Sequence, residues 1–594
     1  MPTSTPAPDR LPTIRWARWG AGVLAFVLAA GALAYLLTPY ATLRDWYLAR
    51  TPNLYRAATW PRYFFTPVAK TQGNWFCLGG LVLLVVGLVW WTLPRWRPAF
   101  LLKEPLADYP PEPKSPLLAR ADWPYLAGLL VVAAGLWGWG ATQLPPAYDE
   151  VFSAVYSAGS GSVFVAWSYY MLPNNHLLFN VLNAGFFGWL GQPTVLLTTG
   201  RLLSGLAYVA TVSVIYRTLL GLTGSRILAA GLALLAALQY AIWGFGSQAR
   251  GYALYALMHW LAVASLLGYW QRPTAGRRWG NAMAVAIGYA TVPTFLFYHV
   301  AQLLAVAIVQ LRRRRLDGQF WWAQAHALGA TYWFYLPALC FSGLKALSDN
   351  QYVRPHHGPL AEFVVKYWPK FLNYATYCFG YGGPDYGLSY ALVLVPLVLL
   401  VWPRPAATAG QNWPWRRLAL LYAFWLLVLV AGTLKLHLLL FSRNLLALFS
   451  VALVLGLLAP GLLLSRWRRW AGIAVVAGLD LWLGVRFMRH NPVQDPSALY
   501  NSKVLRDYQL GLKRVATLPP TGTRAFSEES FYPYFLSQQA GYWAPHPAHR
   551  PVAADYFITA PNDRLPRQLA PRYQPVDTVG GYRLHQRLAK RPNE

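Results

Sequence analysis

The sequence predicts an all-α polytopic membrane protein with a small soluble α/β domain at its C-terminal end. Three observations predict it. The 594-residue chain is 56% hydrophobic but only 12% charged, about half the charged share of an ordinary soluble protein. Continuous apolar runs recur at roughly the 20-residue length that crosses a bilayer, unlike the short alternating segments of a membrane β-barrel. From about Arg489 onward the hydropathy falls, and strand-like stretches separated by Pro and Gly take over.

Taken in order, residues 1–15 are a Pro-rich basic tip. The first span is expected near Gly20–Leu37, and Arg10, Arg15 and Arg18 before it hold that end inside. No small-residue cleavage site follows, so it reads as a retained helix and not a signal peptide. A loop from Pro39 to Trp75 leads to a second span near Phe76–Leu93, closed by the basic Arg95–Arg97, and a Pro-rich connector covers Pro98–Pro124. A third span lies near Tyr125–Gln143. Further spans are expected near 194–220, 226–246 and 252–270. The run 280–311 holds two short ones divided at Val292-Pro293-Thr294, where proline breaks a helix. The last lie near 320–342, 388–402, 417–433, 438–464 and 471–487, making about 13 in all.

The basic turns around Arg277, Arg312–Arg315, Arg416-Arg417 and Arg466–Arg469 all fall on one side of this alternation. The expected topology is therefore multi-pass in the plasma (inner) membrane, with the N-terminus cytoplasmic and the C-terminal domain extracytoplasmic. Three regions follow. Residues 1–124 hold the tip, two additional helices and a connector. Residues 125–488 form a transmembrane core with outside loops 144–193 and 343–387. Residues 489–594 form the soluble domain, with a helix at Ser497–Ala516 and strands at Ala554–Ala560 and Gly580–Leu588.

Much of the net charge of +30 sits in short basic clusters between apolar runs, with no basic, aromatic-interleaved soluble module beside it. This argues against nucleic acid as a partner. The three cysteines, Cys77, Cys340 and Cys378, show no metal-ligand spacing, and their odd number gives no disulfide framework.

The candidate chemistry centres on Asp149 and Glu150, directly after the third span. A carboxylate at the membrane boundary can act as general base or hold a divalent metal ion. The bland reading is a solvated acidic pair ending a helix. Against it stand the scarcity of acids, 21 in the chain, and the Gly/Ser-interrupted apolar segment that follows. In PNNHLLFN, Asn174 or Asn175 suits a helix N-cap, and His176 suits a phosphate, a metal or an acceptor. Asp149, Glu150 and His176 are the metal ligands if an ion is present. Arg250, beside Tyr252 and Tyr255, stands at the outside end of a span. It is either a snorkelling side chain or a bidentate phosphate ligand. Lys435 and His437 lie in a short outside turn, and Arg443 is expected one to two turns inside the next helix, where an unpaired charge is costly. Arg201 is a further intramembrane charge, suited to pairing with Asp149 or Glu150. His356 and His357, in the second outside loop, are weak evidence for a metal site.

Acid, imidazole and several cations on one face suit a lipid-phosphate substrate. The absence of Walker and Rossmann glycine patterns argues against a nucleotide donor. The order of motifs resembles the GT-C glycosyltransferases, in particular the protein O-mannosyltransferase and aminoarabinose-transferase branch. AYDEVFS (Ala147–Ser153) matches their acidic motif, and PNNHLLF (Pro173–Phe179) is similar to their Asn-His segment. GRLLSGL (Gly200–Leu206) and SQARGYALYAL (Ser247–Leu257) look like the next two signatures, and FSRNLLAL (Phe441–Leu448) like their late Arg-bearing helix. The resemblance implies a GT-C fold over roughly 125–465 and a polyprenyl-phosphate-linked sugar as donor. It also implies inversion at the anomeric carbon, with Asp149 as base and a protein, lipid or polysaccharide acceptor. Two departures stand out: Gln248 occupies a position that is acidic in many relatives, and two spans precede the acidic motif. Two other readings remain at this stage, a flippase or transporter of a lipid-linked glycan and a surface-polysaccharide ligase or polymerase.

Overall fold

The computed structural model describes residues 11–50, 60–92, 119–144, 147, 149–150, 153–160, 162–170, 176–190, 193–348, 358–379, 386–401, 414–437, 442–467 and 469–489. Near the C-terminus it describes 524–526, 555–559, 565, 570–579 and 582–588. The helices in order are α1 Leu11–Leu37, α2 Tyr40–Leu48, α3 Pro67–Thr92, α4 Trp123–Gln143, α5 Val163–Ser168 and α6 Leu177–Phe187. Next come α7 Pro193–Thr223, α8 Arg226–Ala237, α9 Tyr240–Gly246, α10 Tyr252–Gln271, α11 Ala275–Thr291 and α12 Phe295–Arg312. The last are α13 Gly318–Ser348, α14 Leu360–Phe379, α15 Tyr386–Val401, α16 Pro414–Leu436, α17 Leu446–Trp467 and α18 Arg469–Arg489.

This is a multi-pass helical membrane protein. Among the described residues, eight helices are long and apolar enough to cross a bilayer, or nine if α8 and α9, bent by 66°, are one broken span. Each segment expected to span contains a helix, although the one expected at 438–464 is helical only from Leu446 and the one at 226–246 is broken after Ala237. The lower number arises because several are short or interrupted. Helix α11 has 17 residues and opens on Arg277 and Arg278; α15 has 16. Helix α13 contains Pro337 and a non-helical Gly343 at φ 78°.

Hydrogen bonds sort the helix ends into two sets. At one, Arg226 Nε pairs with Asp122 Oδ1 at 2.6 Å, Arg278 Nε with Asp317 Oδ2 at 2.9 Å, and Arg417 Nη1 donates to the Trp270 carbonyl. These contacts pair the start of α4 with that of α8, the start of α11 with that of α13, and the start of α16 with the end of α10. Tyr269 Oη near the end of α10 also donates to Asp317 Oδ2 at 3.0 Å, so the turns at Arg277-Arg278, Arg312–Arg315 and Arg416-Arg417 share one end of the bundle. The opposite end carries the exit of α4, the α9–α10 junction, the α11–α12 turn and the turn before α17. Between the ends, polar side chains within the helices satisfy one another. Asn281 exchanges hydrogen bonds with Gln302 at 2.8 and 3.0 Å and accepts one from Gln324 at 2.9 Å, which fastens α11, α12 and α13 where water cannot.

A large apolar core joins α4, α7, α8, α10 to α12, α16 and α17. A smaller aromatic core fixes the two N-terminal spans to α13. Tyr47 stacks on Trp60 at 4.1 Å and Trp60 on Phe65 at 4.7 Å, while Trp60 Nε1 donates to the Phe341 carbonyl at 2.7 Å. Gly73 on α3 is required there, because a Cβ would collide with the Tyr35 hydroxyl.

The stretch 343–387, expected as a loop, is not irregular throughout. It contains the 20-residue α14, whose sequence places Leu360, Phe363, Val364 and Tyr367 at helical spacing. At the C-terminal end, β1 Arg524–Phe526, β2 Tyr556–Thr559, β3 Tyr573–Val579 and β4 Tyr582–Arg587 form one sheet in the order β1-β2-β4-β3. Strands β2 and β4 are those expected from the sequence. Strands β3 and β4 are antiparallel neighbours whose last described pair is Val579↔Tyr582. The helix expected at Ser497–Ala516 lies outside the described residues.

Candidate active site

Asp149 and Glu150 are neighbours in sequence with different surroundings. Glu150 is wholly buried. Arg201, on α7, donates to both its oxygens, from Nε at 3.1 Å and Nη2 at 3.0 Å. The backbone N–H groups of Ala147, at 2.7 Å, and of Ala249 also donate to it. Arg201 Nη1 is spent on the carbonyls of Ala141 at 2.6 Å and Leu144 at 2.9 Å. Both charges are thus desolvated but fully bonded in bidentate geometry. The pair ties the exit of α4 to α7 and to the α9–α10 junction, and it leaves Glu150 no face toward a substrate.

Asp149 has the open position. Its side chain is 25% exposed, and Oδ2 lies 2.8 Å from Arg250 Nη1 and 3.4 Å from Arg443 Nη1. Arg250 comes from the junction between α9 and α10. Ser204 of α7 holds its backbone, donating to the Arg250 carbonyl at 2.9 Å and accepting from its N–H at 3.3 Å. The Tyr252 ring lies 4.7 Å from the Arg250 guanidinium carbon and 5.9 Å from that of Arg443, within cation–π range. Arg443 was expected inside a helix. It instead sits in the 3₁₀ turn Ser442–Asn444 ahead of α17, because the apolar helix starts only at Leu446. A turn residue reaches the cluster without burying its charge in a helix interior. Tyr255 Oη anchors this turn, 3.3 Å from both the Asn444 carbonyl and Thr294 Oγ1. Two carboxylates against three guanidiniums (−2 + 3) give the cluster a net charge of +1.

His176 heads α6 and is buried edge-on against Tyr252, with ring centroids 4.3 Å apart. Burial first, and then the charges of Arg250 and Arg443, hold its imidazole well below the usual range. A backbone hydrogen bond involves Thr291, while Nε2 has no partner among the described residues. The packing demands Gly251, since a Cβ there would stand 2.7 Å from His176 Cβ and 3.1 Å from Thr291 Cγ2. Gly251→Ala is therefore expected to push His176 off Tyr252 and to destabilise the fold by about 1–3 kcal/mol. A thermal melt of the detergent-solubilised variant beside wild type checks this.

The structure thus brings Asp149, Arg250, Tyr252, Arg443 and His176 together and gives Arg201 to Glu150. Lys435 is exposed on the last turn of α16, and His437, at φ 48°, stacks on Phe363 of α14 at 5.3 Å. Asn174, Asn175, His356 and His357 lie outside the described residues. Among the described residues no three His, Cys, Asp or Glu side chains come together as a metal site. The set Asp149, Glu150 and His176 is not assembled, because Glu150 is turned to Arg201. Sequence reasoning missed Ser204, Thr294 and the Ala249 N–H. Ser204 was legible as the residue one turn beyond Arg201 on the same face of α7. Gln248, buried with neither side-chain polar atom partnered among the described residues, also borders the site.

These features define a multi-pass helical membrane protein with a carboxylate–guanidinium site at the end of its bundle opposite the basic turns. No family model and no curated protein matches the chain. Among solved structures it is similar to ArnT from Cupriavidus metallidurans bound to undecaprenyl phosphate, at 14% identity over 80% of this chain and 99% of that one, with a TM-score of 0.46. It is similar to the apo state of the same protein, at 14% identity over 79% and 99%, TM-score 0.48. A further likeness is to the arabinosyltransferase EmbB from Mycobacterium smegmatis, at 16% identity over 64% of this chain and 34% of that one, TM-score 0.39.

Proposed function

We propose that this protein is an integral-membrane glycosyltransferase that moves a sugar from a polyprenyl-phosphate donor to an acceptor on the extracytoplasmic side, with Asp149 as general base. The observation that carries the reading is the partly exposed Asp149 carboxylate held between Arg250 and Arg443. The basic turns at the other end of the bundle mark the cytoplasmic face by the positive-inside rule, which points the site outward.

The chemistry follows from the charges. The acceptor hydroxyl gives its proton to Asp149 as its oxygen attacks the anomeric carbon. The bond from that carbon to the phosphate oxygen breaks on the opposite face, so the configuration inverts. The electron pair stays on the lipid phosphate, where guanidiniums stabilise the developing charge. Before the donor arrives, those guanidiniums neutralise the carboxylate itself. An incoming phosphate competes for them, and the longer contact, from Arg443, yields first. Glu150 and Arg201 act as positioning residues that hold the Arg250 junction.

The test is transfer from a panel of labelled polyprenyl-phosphate sugars by purified protein in lipid nanodiscs. Arg443→Ala is expected to raise the donor KM by about 10- to 100-fold, the worth of a hydrogen bond between charged groups. Arg443→Lys should recover part of the loss. Release from no donor, with lipid-glycan binding intact, would favour the flippase reading instead.

A further inference from the structure

The odd cysteine number gives no framework in the sequence, but the fold brings two of the three together. Cys77 of α3 and Cys340 of α13 are 263 residues apart, and their Sγ atoms lie 3.5 Å from each other. Both are buried, at 1% and 3% exposure. The backbones on either side are fixed by bonds between elements. Tyr35 Oη donates to the Cys340 carbonyl at 2.9 Å, Tyr332 Oη to the Phe76 carbonyl at 2.6 Å, and Trp60 Nε1 to the Phe341 carbonyl at 2.7 Å. Cys340 Sγ also lies 3.7 Å from the Gly73 carbonyl oxygen, where Gly73 permits close approach. The two thiols are therefore held face to face by a rigid seam and do not meet through two mobile side chains.

Their place along the helices matters as well. Cys77 stands where α3 passes from its polar opening, Lys70-Thr71-Gln72-Gly73-Asn74, into its apolar run. Cys340 lies three residues before the break of α13 at Gly343. The next residue but one, Ser342, bonds the site-side loop, donating to the Ser168 carbonyl and accepting from the Tyr170 N–H, both at 2.7 Å. The pair thus lies toward the end of the bundle that holds Asp149. In the orientation proposed above this end faces the oxidising side of the membrane, where disulfides form and persist.

We infer that Cys77 and Cys340 are joined by a disulfide in the mature protein, stapling α3 to α13 beneath the loop that leads to the site. The inference rests on the proposed sidedness and not on the proposed chemistry. The oxidant is an oxidised dithiol protein of the extracytoplasmic compartment. One cysteine thiolate attacks its disulfide to give a mixed disulfide, and the second cysteine displaces it. Two thiols thereby become one S–S bond, and the two electrons and two protons leave as the reduced dithiol. Both sulfurs are covered in the finished fold, so exchange takes place before α3 seats on α13, and the completed bond is shielded from solvent reductants. The bond also closes one wall of an apolar cavity of about 420 Å³ lined by Tyr35, Trp46, Phe164, Cys77 and Cys340.

The experiment reads the thiols directly. Cells are quenched in acid, and the protein is denatured in excess N-ethylmaleimide, purified, reduced and labelled with an isotopically heavy maleimide before peptide mass analysis. The expected result is heavy label on Cys77 and Cys340, together with a Cys77–Cys340 cross-linked peptide in the unreduced digest. In Cys77→Ala, Cys340 should move to the light label. Light label on both cysteines of the wild type would overturn the inference. No activity is read, so the outcome is independent of whether the protein transfers a sugar.

Discussion

Asp149→Asn is expected to lower sugar transfer by about 10²- to 10⁴-fold, the usual worth of a positioned general base, while leaving donor binding intact or tighter. The two halves of this prediction come from one geometry. Asparagine keeps the shape of the side chain and can still accept a hydrogen bond from Arg250, now 2.8 Å from the carboxylate, so the site should persist. It cannot take the acceptor's proton. It also removes one negative charge, raising the cluster from +1 to +2, which favours an incoming phosphate. A residue that merely held the two arginines in place would give a different pattern, with donor binding weakened along with turnover. Parallel measurement of donor affinity and turnover in the same preparation separates the two.

Breaking the Glu150–Arg201 pair should have the largest effect on stability. Arg201→Leu would leave Glu150 as a buried carboxylate without its cation, and loss of one partner of a buried pair costs about 3–5 kcal/mol. Arg201 also serves the carbonyls of Ala141 and Leu144, so the exit of α4 should loosen with it. The double variant Glu150→Gln, Arg201→Leu removes the stranded charge and should recover part of the loss, because the cost lies in the unpaired partner more than in the absence of the pair. Thermal unfolding in detergent of the two variants and wild type checks the order: wild type most stable, the double variant between, Arg201→Leu least. An unchanged melting temperature for Arg201→Leu would contradict the assigned role.

Much of the bundle was legible because burial in lipid imposes long apolar runs that no other environment requires. The basic turns were legible for the same reason, being what the apolar runs leave over. Of the site, Asp149, Arg250 and Arg443 could be named individually because a charge at a membrane boundary is rare and costly. Their meeting could not be read, since Arg443 and Asp149 are 294 residues apart and nothing local records which helix ends are neighbours. Nor could the different fates of Asp149 and Glu150. Two adjacent carboxylates look alike in a motif, and which one turns to Arg201 depends on the position of α7. The surroundings of Lys435 and His437 could not be read from the sequence either, because a short turn does not record which helix it packs on. The left-handed backbone at His437 points to α14, and α14 itself was hidden in a stretch rich in Tyr, Gly and His. The cysteine pair was invisible for the simplest reason: counting gives parity, and only packing gives proximity.

The most direct test of the central claim is a single-turnover experiment on protein pre-loaded with a labelled polyprenyl-phosphate sugar and started by adding acceptor, wild type beside Asp149→Asn. The account predicts a fast phase of sugar transfer in wild type and its loss in the variant, with the same amount of donor bound to both. Transfer at the wild-type rate by Asp149→Asn would contradict it, and would remove this carboxylate from the chemistry.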